Sequence, residues 1–480
     1  MNAHARRRGA CPALSAPMET GDGLLVRLMP QDGTLSPAAL ARLAAAARDF
    51  GNGILEVTAR GSLQLRGLRA ETTGPLNAAV NALGIRAREG LSIDISPLAG
   101  LDATEIADAR PLAEAVRAGV AGIAARLGPK VSVVIDGGGV VSLDALKADV
   151  RLKAREDGAW DVALAGDAEG AVFLGVVDAV ETADVVGTLL EKIAALGPTG
   201  RMADVVAAGD TSLFDAAFPL PNPPPQAGEG VRLRPAADQF SSNFEAHPRP
   251  TPSRPLSRLR GRVGEGERRG LRTGAPIALT DATFALAIAL PFGVADAEMM
   301  AALARAAARH EARDLRPAPS RTLLAVGLSR NSAAALARDA ERLGFILDPA
   351  DPRRAVIACP GAPACASGRI AARAMAPQIA TALAPLLDGS VTIHVSGCAK
   401  GCAHPAPATL VIVGRDEGPM DSAAALMRHG TVASPPERVL AERGLLPALA
   451  CLAQAERKAG ESGADLLSRL DLAAVLEPSS

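Results

Sequence analysis

Four of the six cysteines in the chain fall within 44 residues: Cys359 and Cys365 in "ACPGAPACASG", and Cys398 and Cys402 in "HVSGCAKGCAHP". Thiols at that density pair as disulfides or bind soft metals, and the compartment decides between the two. The start, "MNAHARRRGACPALSAPMETGDG", has arginines with no apolar stretch behind them, and "ATFALAIALPFGVA" is too short and too broken by Pro and Gly to span a bilayer. A cytoplasmic chain is expected, with no membrane partner, and there disulfides are rare. Zinc sites usually pair cysteines two to four residues apart, which the five-residue gap between Cys359 and Cys365 fits poorly. A [4Fe–4S] cluster is a larger body that tolerates wider loops, and Gly361, Ala362, Ala364, Gly397, Ala399 and Gly401 let backbone amides approach the sulfurs. The spacing favours such a cluster, with zinc and unligated cysteines as alternatives. Cys11 and Cys451 lack any such neighbourhood and read as ordinary thiols.

The elements that must position these thiols include a duplication. A shift of 260 residues sets Ala41, Leu43, Ala44, Ala46 and Ala47 on Ala301, Leu303, Ala304, Ala306 and Ala307. Each copy reads strand, Ala-rich helix, strand: "GLLVRLM", "SPAALARLAAAARDF" and "ILEVTARGSLQLRGL", then "FALAIAL", "DAEMMAALARAAARH" and "RTLLAVGL". Ser36 before Pro37 is a helix start. In "ILEVTARGSLQLRGL", taken as one strand without a bulge at Gly61, Glu56, Thr58, Arg60, Ser62, Gln64 and Arg66 share a polar face.

Each copy is followed by an α/β region. The first is expected to hold a helix in "ADARPLAEAVRAGVAGIAARL" and strands "KVSVVID", "VVSLDAL", "WDVALAG" and "AVFLGVV". The second carries the cysteines, with strand "VTIHVSG" sending Val391, Ile393 and Val395 to one face and Thr392, His394 and Ser396 to the other. Residues 219–272, with ten prolines and ten arginines, cannot bury enough apolar surface to order themselves and read as a disordered linker. The expected α+β organisation is 1–75 first ferredoxin-like half, 76–215 first α/β reductase-like domain, 216–273 linker, 274–345 second ferredoxin-like half, 346–445 cluster-binding α/β domain and 446–480 helical tail. At 480 residues with 48% apolar and 21% charged residues the chain has room for several cores, and its net charge of -1 argues against a general role on nucleic acid or membrane surfaces.

Cys-x5-Cys followed by Cys-x3-Cys, behind a duplicated ferredoxin-like half, resembles the sulfite/nitrite reductase superfamily, whose members bind a [4Fe–4S] cluster through those cysteines. Within it, "RRGACPAL", "TGDGLLVRL", "VTARGSLQLRGL", "SPLAGLD", "ACPGAPACASG" and "SGCAKGCAHP" are most similar to the precorrin-3B synthase family. That resemblance implies an O2-dependent hydroxylation of precorrin-3A with γ-lactone formation, using the cluster, a non-haem iron and electrons from a reductase or an NADH-derived donor. It places Arg60 and Gln64 at the tetrapyrrole, with Lys130 matching one lysine of a Lys-x-Lys pair whose second member is Ser132 here. His404 and Lys400, within or beside Cys-x3-Cys where reductases carry arginine and asparagine, become candidate catalytic residues. His394 is a weaker candidate, while His429 and His310 read as structural. A sirohaem-dependent sulfite or nitrite reductase is the alternative implied by the superfamily, and a non-enzymatic iron–sulfur carrier or redox sensor is a third.

Overall fold

The computed structural model describes residues 12–30, 32–85, 90–209, 271–404, 406–416 and 422–472. Cys11 and nearly all of the Pro/Arg-rich stretch lie outside the described residues.

Helix Pro37–Phe50 begins where its sequence dictates: Ser36 Oγ accepts from the Ala39 amide at 3.1 Å and Pro37 fills the first turn. Its duplicate, Ala297–Arg309, is capped by Asp296, which accepts from the Met299 amide at 2.8 Å. The two helices pack on each other through Leu40, Leu43, Ala44 and Ala47 on one and Met300, Leu303, Ala304 and Ala307 on the other. Alanines at these positions let the backbones approach closely, and Leu supplies the buried area. The first half forms a sheet of strands Met18–Thr20, Gly23–Leu28, Leu63–Leu68 and Ile54–Val57, in that order, and the second half lends it Val294–Asp296 as a fifth strand. The second half's own sheet runs Pro276–Ala278, Phe284–Ala289, Thr322–Leu328, Asp314–Ala318.

Two expectations are corrected here. "ILEVTARGSLQLRGL" is a hairpin of two strands, with Leu55, Glu56 and Val57 opposite Leu65, Gln64 and Leu63. Its turn needs Gly61, whose φ of +78° suits only glycine and where a Cβ would stand 2.8 Å from the Ala318 carbonyl carbon. Likewise "VVSLDAL" is not a strand. The carbonyls of Leu143 and Leu146 fold around the buried Arg151 guanidinium at 3.2 and 2.7 Å, and the strand is Ala148–Ala154 instead.

The two α/β regions repeat one topology. Ser92–Ile95, Ser132–Asp136 and Ala148–Ala154 run parallel, then Trp160–Gly166 and Val172–Val177 return antiparallel. Val356–Ala358, Ile393–Ser396, Ala408–Asp416, Ser422–Gly430 and Arg438–Ala441 follow the same order and directions. Each region has its own core, the first around Trp160, Leu189 and Ile193, the second around Ile379, Ile393 and Leu449. Among the described residues no helix is long and apolar enough to cross a membrane.

Because one core spans both ferredoxin-like halves, Leu303→Ala should cost about 2–5 kcal/mol and shift the urea midpoint of the whole ferredoxin-like layer. A loss well below that range would show that the halves are stabilised separately.

Candidate functional site

The parallel pairing of Val356–Ala358 with Ile393–Ser396 brings the two cysteine motifs to the same edge of one sheet. Cys359 leaves the first strand, its amide donating to the Val395 carbonyl at 3.1 Å, and Cys398 follows the second strand after Gly397. The carboxyl ends of parallel strands are where α/β sheets present their ligand sites. Glycine makes the approach possible here: the Gly397 amide donates to Cys359 Sγ at 3.1 Å, and a Cβ on Gly397 would stand 2.8 Å from Gly361 Cα. Burial pushes the Cys359 thiol up, with Cys365 and Cys398 adding to the effect, and burial pushes up Cys402, with Cys359, Cys398 and Cys365 adding. The two loops thus bring four thiols to one sheet edge, where a metal body would offset the repulsion between thiolates. Among the described residues no three His, Cys, Asp or Glu side chains stand close enough to share a single ion. In a cubane each thiolate has its own iron, so the sulfurs stand further apart than around one zinc, and the amide-lined, glycine-packed loops fit that larger body. Cys451 is exposed on helix Glu442–Ala453.

The part of the hairpin's polar face formed by Glu56, Gln64 and Arg66 meets these loops and is buried. Glu56 accepts from Arg373 Nη1 at 2.6 Å and from Gln64 Nε2 at 2.8 Å, and Arg66 Nε lies 3.7 Å from it. Arg66 also donates to both Asp22 oxygens, at 2.9 and 3.1 Å, and to the Ala364 carbonyl at 2.8 Å. The Gly21 amide reaches the same carbonyl at 3.2 Å. Arg321, in the turn of the second hairpin with φ +60°, donates to the Ala403 carbonyl at 3.0 Å, and burial pulls it down to about 10. Both cysteine loops are thus pinned, beside Cys365 and beside Cys402, by guanidinium groups from the ferredoxin-like layer. Gln64, expected to meet a tetrapyrrole, stands within this clamp: its amide nitrogen donates to Glu56 and its oxygen lies 3.4 Å from Arg27 Nη2. Glu56 and Arg66 are buried as well.

Arg60 sits in the first hairpin's turn, about one third exposed, ion-paired with Asp94 and donating to the Lys147 carbonyl at 2.8 Å. It lines a cavity of about 480 Å3 with Asp94, Leu143, Leu146 and Arg316. The register that pairs Val133 with Val150 brings Lys130 and Lys147 to the same edge of the first α/β sheet, and Lys130 is exposed there. Lys147 is close enough to His404 to help lower its pKa, after burial as the larger cause. His404 Nε2 lies 3.3 Å from the Pro407 carbonyl, and its ring meets His394 edge-on at 5.7 Å between centroids. His394 is fully buried with neither ring nitrogen partnered, and burial, His404 and Arg321 pull it down to about 4, so it is neutral at physiological pH. Lys400 points outward, its ammonium donating to Ser367 Oγ at 2.9 Å and so tying one cysteine loop to the other. His429 pairs with Ser468 and His310 with Asp339.

Lys147 and Arg321 were missed in the sequence. Lys147 precedes a strand that its charges disguised. Arg321 stands where the first copy has Gly61, a difference visible only once the repeats are superposed.

Comparisons with known proteins agree with this architecture. Residues 16–83 match the family described as "Nitrite/Sulfite reductase ferredoxin-like half domain". A Sinorhizobium sp protein, "Precorrin-3B synthase", is 36% identical over 477 residues, covering 98% of this chain and 94% of that protein. A sulfite reductase [NADPH] hemoprotein beta-component from Xanthomonas euvesicatoria pv. vesicatoria is 30% identical over 152 residues, 29% of this chain and 26% of its own length. In fold, the chain is similar to the Mycobacterium tuberculosis NirA protein, with a TM-score of 0.66 at 17% identity, covering 94% of this chain and 84% of that one. Similarity to a synthase over almost the whole of both chains, on a reductase-type scaffold, shows that this chain belongs to the precorrin-3B synthase family and is an oxidoreductase.

Proposed function

We propose that the chain catalyses the O2-dependent hydroxylation of precorrin-3A with closure of a γ-lactone, drawing electrons through a [4Fe–4S] cluster held by Cys359, Cys365, Cys398 and Cys402. The observation that carries the reading is the meeting of the two cysteine loops at one sheet edge, where the Gly397 amide donates to Cys359 Sγ, beside a junction rich in cationic side chains. When bound, the cluster supplies single electrons. Those electrons come from a separate reductase or another NADH-derived donor.

The chain's own residues bind and orient the substrate. Precorrin-3A carries many carboxylates, and Arg60, Lys130 and Lys147 offer cations where the first α/β sheet meets the hairpin turn. Arg60 exchanges its Asp94 partner for a substrate carboxylate, to which a planar guanidinium can donate two parallel hydrogen bonds. His404 is the group placed to hold or move a proton, at Nδ1, because Nε2 is directed at the Pro407 carbonyl. Lys400 acts as a clasp between the loops. A non-haem iron, which the family resemblance implies, finds no set of three ligands among the described residues, and no step is assigned to it.

Replacing Cys398 with Ser should abolish the broad cluster absorption and the matching iron and sulfide content, while Cys451→Ser leaves both intact. Full cluster content in Cys398→Ser would remove the ligand assignment. The spectrum of the anaerobically purified wild type also separates this reading from sirohaem chemistry, which would add intense Soret and red-region bands. Arg60→Ala should weaken precorrin-3A binding by roughly ten- to a hundred-fold with the cluster spectrum unchanged, the loss of one charge-assisted hydrogen bond of about 1.5–3 kcal/mol. His404→Ala should lower turnover more than affinity. Titration of substrate into each variant, followed by admission of O2, reads both; unaltered affinity in Arg60→Ala would place the substrate elsewhere.

A further inference from the structure

We propose that Arg66 and Arg373, gathered around Glu56, together with Arg321 on the second cysteine loop, set the reduction potential of the cluster; this rests on the reading that the four cysteines hold a [4Fe–4S] cluster. Arg66 touches the first cysteine loop at Ala364, next to Cys365. Arg321 touches the second at Ala403, next to Cys402. Arg373 leaves the first loop at the start of helix Ala372–Ala382, whose first amide nitrogen would lie 2.3 Å from a Cβ on Gly361.

Among the described residues, Arg66 and Arg373 contact the carboxylates of Asp22 and Glu56, while Arg27 meets Gln64 and Arg321 the Ala403 carbonyl, so the four guanidinium groups outnumber the carboxylates they touch. The surplus has little access to water: the Arg66 side chain is 5% exposed and Arg373 17%. Nε of Arg27 and Nε of Arg373 are buried without a partner. A buried cationic surplus is costly by itself, so a matching anion belongs next to it. Four thiolates around an oxidised cubane, whose iron–sulfur core carries two positive charges, form a dianion, and reduction adds one more negative charge. The cations therefore favour the reduced form, and Glu56, which both Arg66 and Arg373 contact, holds that preference in check. Arg321 keeps its proton at neutral pH despite its lowered pKa. Lys400, whose ammonium donates to Ser367 Oγ in the first cysteine loop, adds a cation on the outer face.

The test is a spectroelectrochemical titration of the anaerobically purified full chain and of Arg321→Gln, Arg321→Lys and Glu56→Gln, with iron and acid-labile sulfide measured on each. Removing a cation should lower the midpoint potential, removing the carboxylate should raise it, and Arg321→Lys should stay near the wild type. Loosened packing alone would move Arg321→Gln and Glu56→Gln in the same direction, so shifts of opposite sign isolate the charge effect. Equal potentials, or shifts of one sign, in variants with full cluster content would overturn the proposal while leaving the cluster assignment standing. Wild-type protein without iron and sulfide would instead overturn the cluster reading, and the proposal with it.

Discussion

One parallel strand pair organises the site. Val356–Ala358 and Ile393–Ser396 are separated in sequence by the helix Ala372–Ala382, yet their register ends both at the same sheet edge. Without that pairing the two cysteine motifs would be unrelated loops. With it, the thiols become one group, and the glycines at 361, 368 and 397 follow as a necessity, since the loops then cross within van der Waals distance of one another. Gathering four ionisable sulfurs at one edge, with Cys359 buried and Cys365 and Cys398 half-buried, creates an electrostatic demand that the neighbouring cations can meet.

That answer comes from the duplicated layer. The two hairpin turns are related by the repeat, and each sends an arginine to a carbonyl of a different α/β region: Arg60 to Lys147 in the first, Arg321 to Ala403 in the second. Duplication thus yields two docking points of similar geometry, one beside cysteines and one beside a cysteine-free counterpart. The first α/β region has the same strand order, but the loops after Ser92–Ile95 and Ser132–Asp136 carry Asp102, Glu105 and glycines where the second carries cysteines. Glu105 is half-buried there and is pushed up to about 7, chiefly by burial. One copy of the fold has kept the thiols and the other lends cations and a cavity, a division of labour that a single unrepeated domain could not supply.

Features fixed by local periodicity were legible in the sequence. The capped Ala-rich helices, the cysteine loops and the opposite faces of His394 and Ile393 all follow from spacing within a few residues. The hairpin was hidden because its parity is preserved: Glu56 and Gln64 do share a face, but across two strands rather than along one, so alternation gives the same answer for either element. The role of that face was hidden for a different reason. Burial of Glu56, Gln64 and Arg66 depends on Arg373 and Ala364, some 300 residues away, and no local pattern announces a partner at that distance. Lys147 was masked in the same way by a strand whose buried charges, Asp149 and Arg151, are satisfied by Arg201 and by loop carbonyls.

The most direct test of the functional account is incubation of the anaerobically prepared chain with precorrin-3A under 18O2, with excess NADH and a reductase supplying the two electrons that reduce the second oxygen atom to water, read by product mass. The account predicts a product heavier by one oxygen atom, that atom being labelled. Unchanged precorrin-3A from protein with a full cluster, or a product whose added oxygen is unlabelled, would contradict it.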